Sequence, residues 1–209
     1  IVSATNANIA DVNSISFDTS NLSGILTVTA GGAITQTANA ITAASLVMNG
    51  TGASATLNTA TNNVASLSAA FTAGGGLQYT DANNYSLTSI IIGANPVALT
   101  SVAGTVTDLN NISASASALT MNTGTGLTVP ALNIAGPQSY TAGGTGILLD
   151  GNLNSTATGA IDFNSALTLN LDLIVSSTNS PITFDSTVTG DTYNLGGNAG
   201  TSAITFNAA

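Results

Sequence analysis

The 209 residues contain no lysine, arginine, histidine, cysteine, glutamate or tryptophan. Without a cation the chain cannot neutralise phosphates, so nucleic acids and anionic membrane surfaces lose their main source of affinity. Without cysteine it has neither disulfides nor thiolate metal sites, a composition compatible with an exported protein that folds without an oxidant. All nine charged residues are aspartates, giving a formal net charge of -9. No apolar run approaches the roughly 18 residues needed to span a bilayer. The chain begins at Ile1 with no Met and no signal-like segment, which leads us to expect a processed chain or a piece of a longer one.

What is present is apolar and periodic. Apolar residues make up 44% of the chain, enough for a sizeable core, and no linker or charge run marks a boundary, so residues 1–209 read as a single domain. Short alternations such as "GILTVTA", "SLVMN", "GLQYT", "GLTVP", "GILLD" and "ALTLNLDL" lie between Gly/Asn-rich turns. That is a strand signature without a helical stretch, and the alternating "ISASASAL" is read as strand as well.

The alternations recur in register. Leu26, Leu46, Leu67, Leu87, Val106, Leu127, Ile147, Leu167 and Val188 follow at steps of 19 to 21 residues. A second column reads Leu77, Leu99, Leu119, Tyr140, Ile161, Ile182 and Ile204, extended less regularly by Ile15 and Ile34. A third reads Ile92, Ile112, Leu132, Leu153, Leu173 and Leu195. Three interleaved columns of about 20-residue period predict an all-β solenoid with three short strands per rung, parallel sheets and roughly ten rungs about 4.8 Å apart. The first and last residues read as ordinary rungs without evident caps, so the domain is expected to be a segment or repeat module that stacks end to end or continues into flanking rungs.

The phrases "AIDFN" (160–164), "PITFD" (181–185) and "AITFN" (203–207) place Phe163, Phe184 and Phe206 at one inward position on successive rungs, predicting an aromatic ladder. Asn164, Asp185 and Asn207, with Asp18 in the matching place after Ile15, are read as corner residues in left-handed backbone.

Candidate chemistry is sparse. A lyase base is missing with Arg and Lys, and glycoside hydrolysis needs two carboxyls about 5–9.5 Å apart. The aspartates stand singly, and Asp162 and Asp185 differ in phase relative to Ile161 and Ile182. The Gly-Gly-x-Gly-x-Asp calcium nonapeptide is absent. No catalytic, cofactor-binding or metal-ligating residue is expected. The residues after and before the first-column members suggest an outward hydroxyl array of Thr27, Ser68, Thr88, Thr105, Thr107, Thr128, Thr168, Thr187 and Thr189, interrupted by Val47 and Leu148. Such an array resembles the flat face of ice-binding β-solenoids, although Thr also suits any exposed strand position. Asn-x-Ser/Thr triplets begin at Asn21, Asn49, Asn84, Asn111 and Asn154.

The stretches "ILTVTAGGAITQTANAITAASLVMNGTGASATLNTATNNVASLSA" (25–69) and "GPQSYTAGGTGILLDGNLNSTATGAIDFNSALTLN" (136–170) resemble the repeat region of filamentous-haemagglutinin-type exoproteins, large bacterial adhesins exported by two-partner secretion. The resemblance implies a right-handed parallel β-helix, located extracellularly or at the cell surface, that forms a stiff structural or adhesive rod and meets a host or neighbouring-cell surface. An ice-binding solenoid or a surface-layer protein is the alternative.

Overall fold

A computed structural model describes residues 2–59, 61–113 and 115–208, with side chains from residue 4 onward. The expected architecture is present: an all-β solenoid of parallel sheets, with about nine turns of about 21 residues. Alternation builds it. In Leu77–Asp81 the side chains of Leu77, Tyr79 and Asp81 are buried and those between them are not. A strand with one face inward can only stack on a copy of itself in the same phase, because a one-residue slip would turn the apolar set outward.

The first face is one continuous sheet of ten strands: Ile15–Phe17, Ile34–Gln36, Ala55–Leu57, Leu77–Asp81, Pro96–Ser101, Ala118–Thr123, Gln138–Ala142, Ile161–Phe163, Ile182–Phe184 and Ile204–Phe206. It carries two inward columns. One runs Leu77, Val97, Leu119, Gln138, Ile161, Ile182, Ile204; the other runs Tyr79, Leu99, Met121, Tyr140, Phe163, Phe184, Phe206. The expected column therefore mixed the two: Leu99 and Tyr140 belong beside Tyr79 and Phe163. Inward positions lie two residues apart, so rungs whose lengths range from 19 to 23 residues disguise the swap. The aromatic ladder is longer than expected, with ring centroids 5.6 Å apart for Tyr140–Phe163, 5.1 Å for Phe163–Phe184 and 4.7 Å for Phe184–Phe206.

The second and third faces are joined by strands that bend through their shared corner. The start of Ile41–Gly50 pairs with Ser20–Leu22 on the second face, and its end pairs with Ile25–Ala30 on the third. Leu26, Leu46, Leu67 and Leu87 are in register on the third face. Val106 is in register with Tyr85 on the second, and Leu127, Ile147, Leu167 and Val188 form a second-face column. The expected first column thus crosses from one face to another at its single 19-residue step. The third column needs similar correction: Ile112 bridges Ile90 rather than Ile92, and Leu153 pairs with Val175, whereas Leu173 pairs with Leu195.

The crossing marks a structural break. Among the described residues no ladder joins Val106–Thr107 to Leu127–Thr128, and the two bent faces divide into an amino-terminal and a carboxy-terminal sheet while the first face runs through unbroken. At the break Asp108 takes a left-handed φ of 61° and the chain forms a 3-10 turn, Leu109–Asn111, with Leu109 buried beneath it. "ISASASAL" is corrected accordingly: Ile112 makes an isolated bridge, Ser113 and Ala116 are irregular, Ser115 is in a turn and Ser117 in a bend, with Ala114 outside the described residues, and only Ala118 and Leu119 enter a strand. Likewise "ALTLNLDL" is two strands, Leu167–Leu169 and Leu173–Ser177, with a corner at Leu171.

Side chains also bond from rung to rung. Asn39 Nδ2 and Thr37 Oγ1 donate to Asp18, Asn170 Nδ2 to Asp150 at 2.8 Å, Asn194 N to Asp172 at 2.7 Å, and Asn207 Nδ2 to Asp185. Each of these aspartates meets an asparagine, not another carboxylate, one coil away. That is how an anionic chain stacks without like charges directly opposed. The bonds to Asn39 and Thr37 hold the Asp18 carboxyl below its usual range. Asp18, Asn164, Asp185 and Asn207 are not among the described residues with positive φ, which outside glycine are Asp108, Asn179 and Asp191. All four instead bond through their side chains to neighbouring rungs, Asn164 Nδ2 donating to Ser139 Oγ at 3.0 Å and Thr141 Oγ1 at 3.1 Å. Asn170→Asp, which sets a carboxylate against Asp150, is expected to destabilise by a few tenths to about 1 kcal/mol. Added salt and acid should relieve the loss in urea melts, and a melt insensitive to salt would contradict the pairing. Coils also approach closely at corners: a Cβ on Gly124 would lie 1.9 Å from the Val102 carbonyl oxygen, so only glycine fits.

Candidate functional site

The expected hydroxyl array lies on two faces. Thr27 and Ser68 stand on the third face, where Thr27 pairs with Val47, and Val47 with Ser68. Ser68 then pairs with Ser89, because the register shifts at Thr88, whose hydroxyl donates to the Leu67 carbonyl at 3.2 Å. Thr107 is in register with Ser86 rather than Thr88. Thr128, Leu148, Thr168 and Thr189 form a row on the second face. Thr105 and Thr187 precede second-face strands, their carbonyls accepting from Tyr85 N and Leu167 N. A step of 19 instead of 21 residues made two rows look like one.

The structure instead brings Thr105, Thr107, Thr128 and Thr168 together around the break, in a cleft of about 960 Å³. One end is closed by the bond from Thr125 N to the Gly104 carbonyl at 3.1 Å. From there the walls diverge as Asp108 turns the chain away from the ladder. Leu127 N donates upward to the Gly146 carbonyl at 3.0 Å, so the alternation of a parallel strand turns the Thr128 N–H toward the cleft. The next position of that phase is Pro130, which has no N–H to give and stands on an edge, as prolines in sheets do. Asn110, Thr145 and Leu148 complete the lining, with the Asp108 carboxylate accepting from Thr107 Oγ1 at 3.1 Å. Asp108, Asn110, Thr145 and Pro130 did not stand out in the sequence; the signals were the short step at Val106 and a proline inside the alternation "GLTVP".

A second polar feature is interior. Asp81 is completely buried and accepts from Tyr79 Oη at 2.6 Å, Val64 N at 2.9 Å and Asn83 N at 2.9 Å. Burial pushes its carboxyl up, while these hydrogen bonds pull the other way. Burial and then the Asp81 charge raise the Tyr79 hydroxyl far above its ordinary value. Tyr85 meets Tyr79 edge to face at 5.2 Å, and its buried hydroxyl has no partner. Beside them Asn62, also fully buried, accepts from Ile41 N at 2.8 Å and donates to the Thr80 carbonyl at 3.0 Å. Asp81 and Asn62 thus cap strand starts on the second face, one coil below. Asp81 did not stand out in the sequence; the signal was its phase in "LQYTD", two residues after Tyr79 and four after Leu77, both inward.

The other aspartates stay dispersed. Asp162 is in register with Thr183, whereas Asp185 lies just past the end of that strand, Ile182–Phe184, and no group of three or more potential metal ligands occurs among the described residues. No helix among them is long and apolar enough to cross a membrane. Of the Asn-x-Ser/Thr asparagines, Asn84 accepts from Thr105 N at 2.8 Å and Asn111 donates to the Leu87 carbonyl at 2.7 Å, so both are already engaged.

Continuous stacking, parallel pairing and a closed apolar interior define a parallel β-solenoid protein. No protein-family model matches the chain, and neither a curated protein nor a solved structure matches it.

Proposed function

We propose that the chain is a structural and adhesive rod of an exported protein, displayed at a cell surface and extended end to end by further coils or by another copy. The observation that carries this is the unbroken ten-strand sheet, whose inward columns stay in register from Ile15 to Phe206 across an interruption that cuts both other faces. A stack held by backbone ladders, aromatic contacts and side-chain bonds along one axis resists bending along its length. Ice binding is the weaker reading, because its hydroxyls divide between two faces. Antibody labelling of intact source cells under the electron microscope is expected to decorate the surface with short rods or filaments; label confined to the interior of permeabilised cells would overturn the reading.

A further inference from the structure

We propose that the cleft at the ladder break binds a short stretch of uncharged polysaccharide. This gives the adhesive part of the proposed function a ligand class and rests on that part. The cleft's 960 Å³ falls at the upper end of the range of about 300–1,000 Å³ typical of small-ligand sites. At this cleft the edge strands Val106–Thr107 and Leu127–Ile134 are not joined by a ladder, so the two edges part.

The lining selects the ligand. Threonine hydroxyls donate and accept, the Asn110 amide does both, the Asp108 carboxylate accepts, and the Thr128 N–H donates. Such a mixture matches sugar hydroxyls, which also donate and accept, and a carboxylate accepts well from two neighbouring hydroxyls. Half-buried Leu148 and Pro130 offer apolar contact to the C–H faces of sugar rings. Thr128 and Thr168 stand two rungs apart, about 9.6 Å along the axis, with Leu148 between them, so a linear chain of rings lying along the rod meets a hydroxyl, an apolar and a hydroxyl group in turn. The chain has no cation and a net charge of -9, so an anionic polysaccharide is repelled. A cationic ligand would find one carboxylate, already accepting from Thr107. An added peptide strand is disfavoured by the missing N–H of Pro130 and by the Gly104–Thr125 closure.

The test is amide NMR of the whole 209-residue chain titrated with maltohexaose, cellohexaose and laminarihexaose, with spermine as the cationic arm. At least one hexasaccharide is expected to give saturable shifts at Thr107, Asp108, Asn110 and Thr128, with an affinity that added salt leaves unchanged. Asp108→Asn keeps a residue that tolerates left-handed backbone, and Thr128→Val keeps the shape. Each should weaken binding about three- to tenfold without moving the thermal melt. Thr27→Val on the third face should leave binding as it is. The inference is overturned if none of the three sugars shifts the cleft amides, if their shifts fall on another face, if both cleft variants bind like wild type, or if only spermine binds and salt releases it. Failure here with surface labelling intact leaves the rod standing; failure of labelling with sugar binding intact does the reverse.

Discussion

Leu67→Asp is expected to unfold the amino-terminal half of the rod. Leu67 is fully buried and lies in register between Leu46 and Leu87, so its side chain is covered above, below and across the interior. Truncating such a leucine costs about 2–5 kcal/mol through lost transfer energy and the cavity left behind. Aspartate adds the burial of a carboxyl, and the chain contains no Lys, Arg or His to pair with it. The total is comparable with the whole stability of a domain, about 5–15 kcal/mol. Stability in a solenoid is a sum of rungs and of the contacts between neighbours, so the loss should spread along the axis rather than stay at one rung. It should spread unevenly, because only the ten-strand sheet crosses the break near Val106. Urea melts should show the variant losing most of its ellipticity change or splitting into two transitions. Leu67→Met, which conserves volume, should cost under about 1.5 kcal/mol, and Leu171→Asp, at an exposed corner, should stay within about 0.5 kcal/mol of wild type. A Leu67→Asp melt matching wild type would refute the register.

Asp81→Ala should be the next most damaging change. It leaves the Tyr79 hydroxyl and the Val64 N–H buried without an acceptor, at a cost on the order of 2–6 kcal/mol for the two. The pH dependence has a definite sign. Burial raises the folded-state pKa of Asp81 above 3.8, so between 3.8 and that raised value the folded state holds more protons than the unfolded one, and stability falls as pH rises through the window. Asp18, held low by its hydrogen bonds, contributes in the opposite sense: its stabilisation is present above 3.8 and is lost as pH falls through the lower folded value. The stability difference between wild type and Asp81→Ala isolates the first effect, and it should widen as pH is lowered from neutral toward 3.8. Asp81→Asn cannot ionise either, so its cost should be smaller but should widen in the same way as pH is lowered. If Asp81→Ala melts like wild type at every pH, the buried cluster has no structural role.

The sequence by itself determined the class of fold, because alternation and a near-constant step are local properties. Each "Ile-x-Phe" phrase says which side chains point inward, and its return after 21 or 22 residues says that they stack, so Phe163, Phe184 and Phe206 could be placed on one ladder. Which column belongs to which face was decided by tertiary structure. A coil has three faces and inward positions two residues apart, so a rung that differs by two residues looks like the same column while it stands on the neighbouring face, as happened between Leu87 and Val106, or in the neighbouring column of one face, as happened between Leu77 and Leu99. The cleft follows from the same event. Its Thr105, Thr107, Thr128 and Thr168 were visible as a row of hydroxyls, but their concavity depends on a left-handed Asp108, a short turn over buried Leu109 and the missing N–H of Pro130. Periodicity reports what rungs share; a site made by one rung's departure from its neighbours is settled only when the coils are stacked.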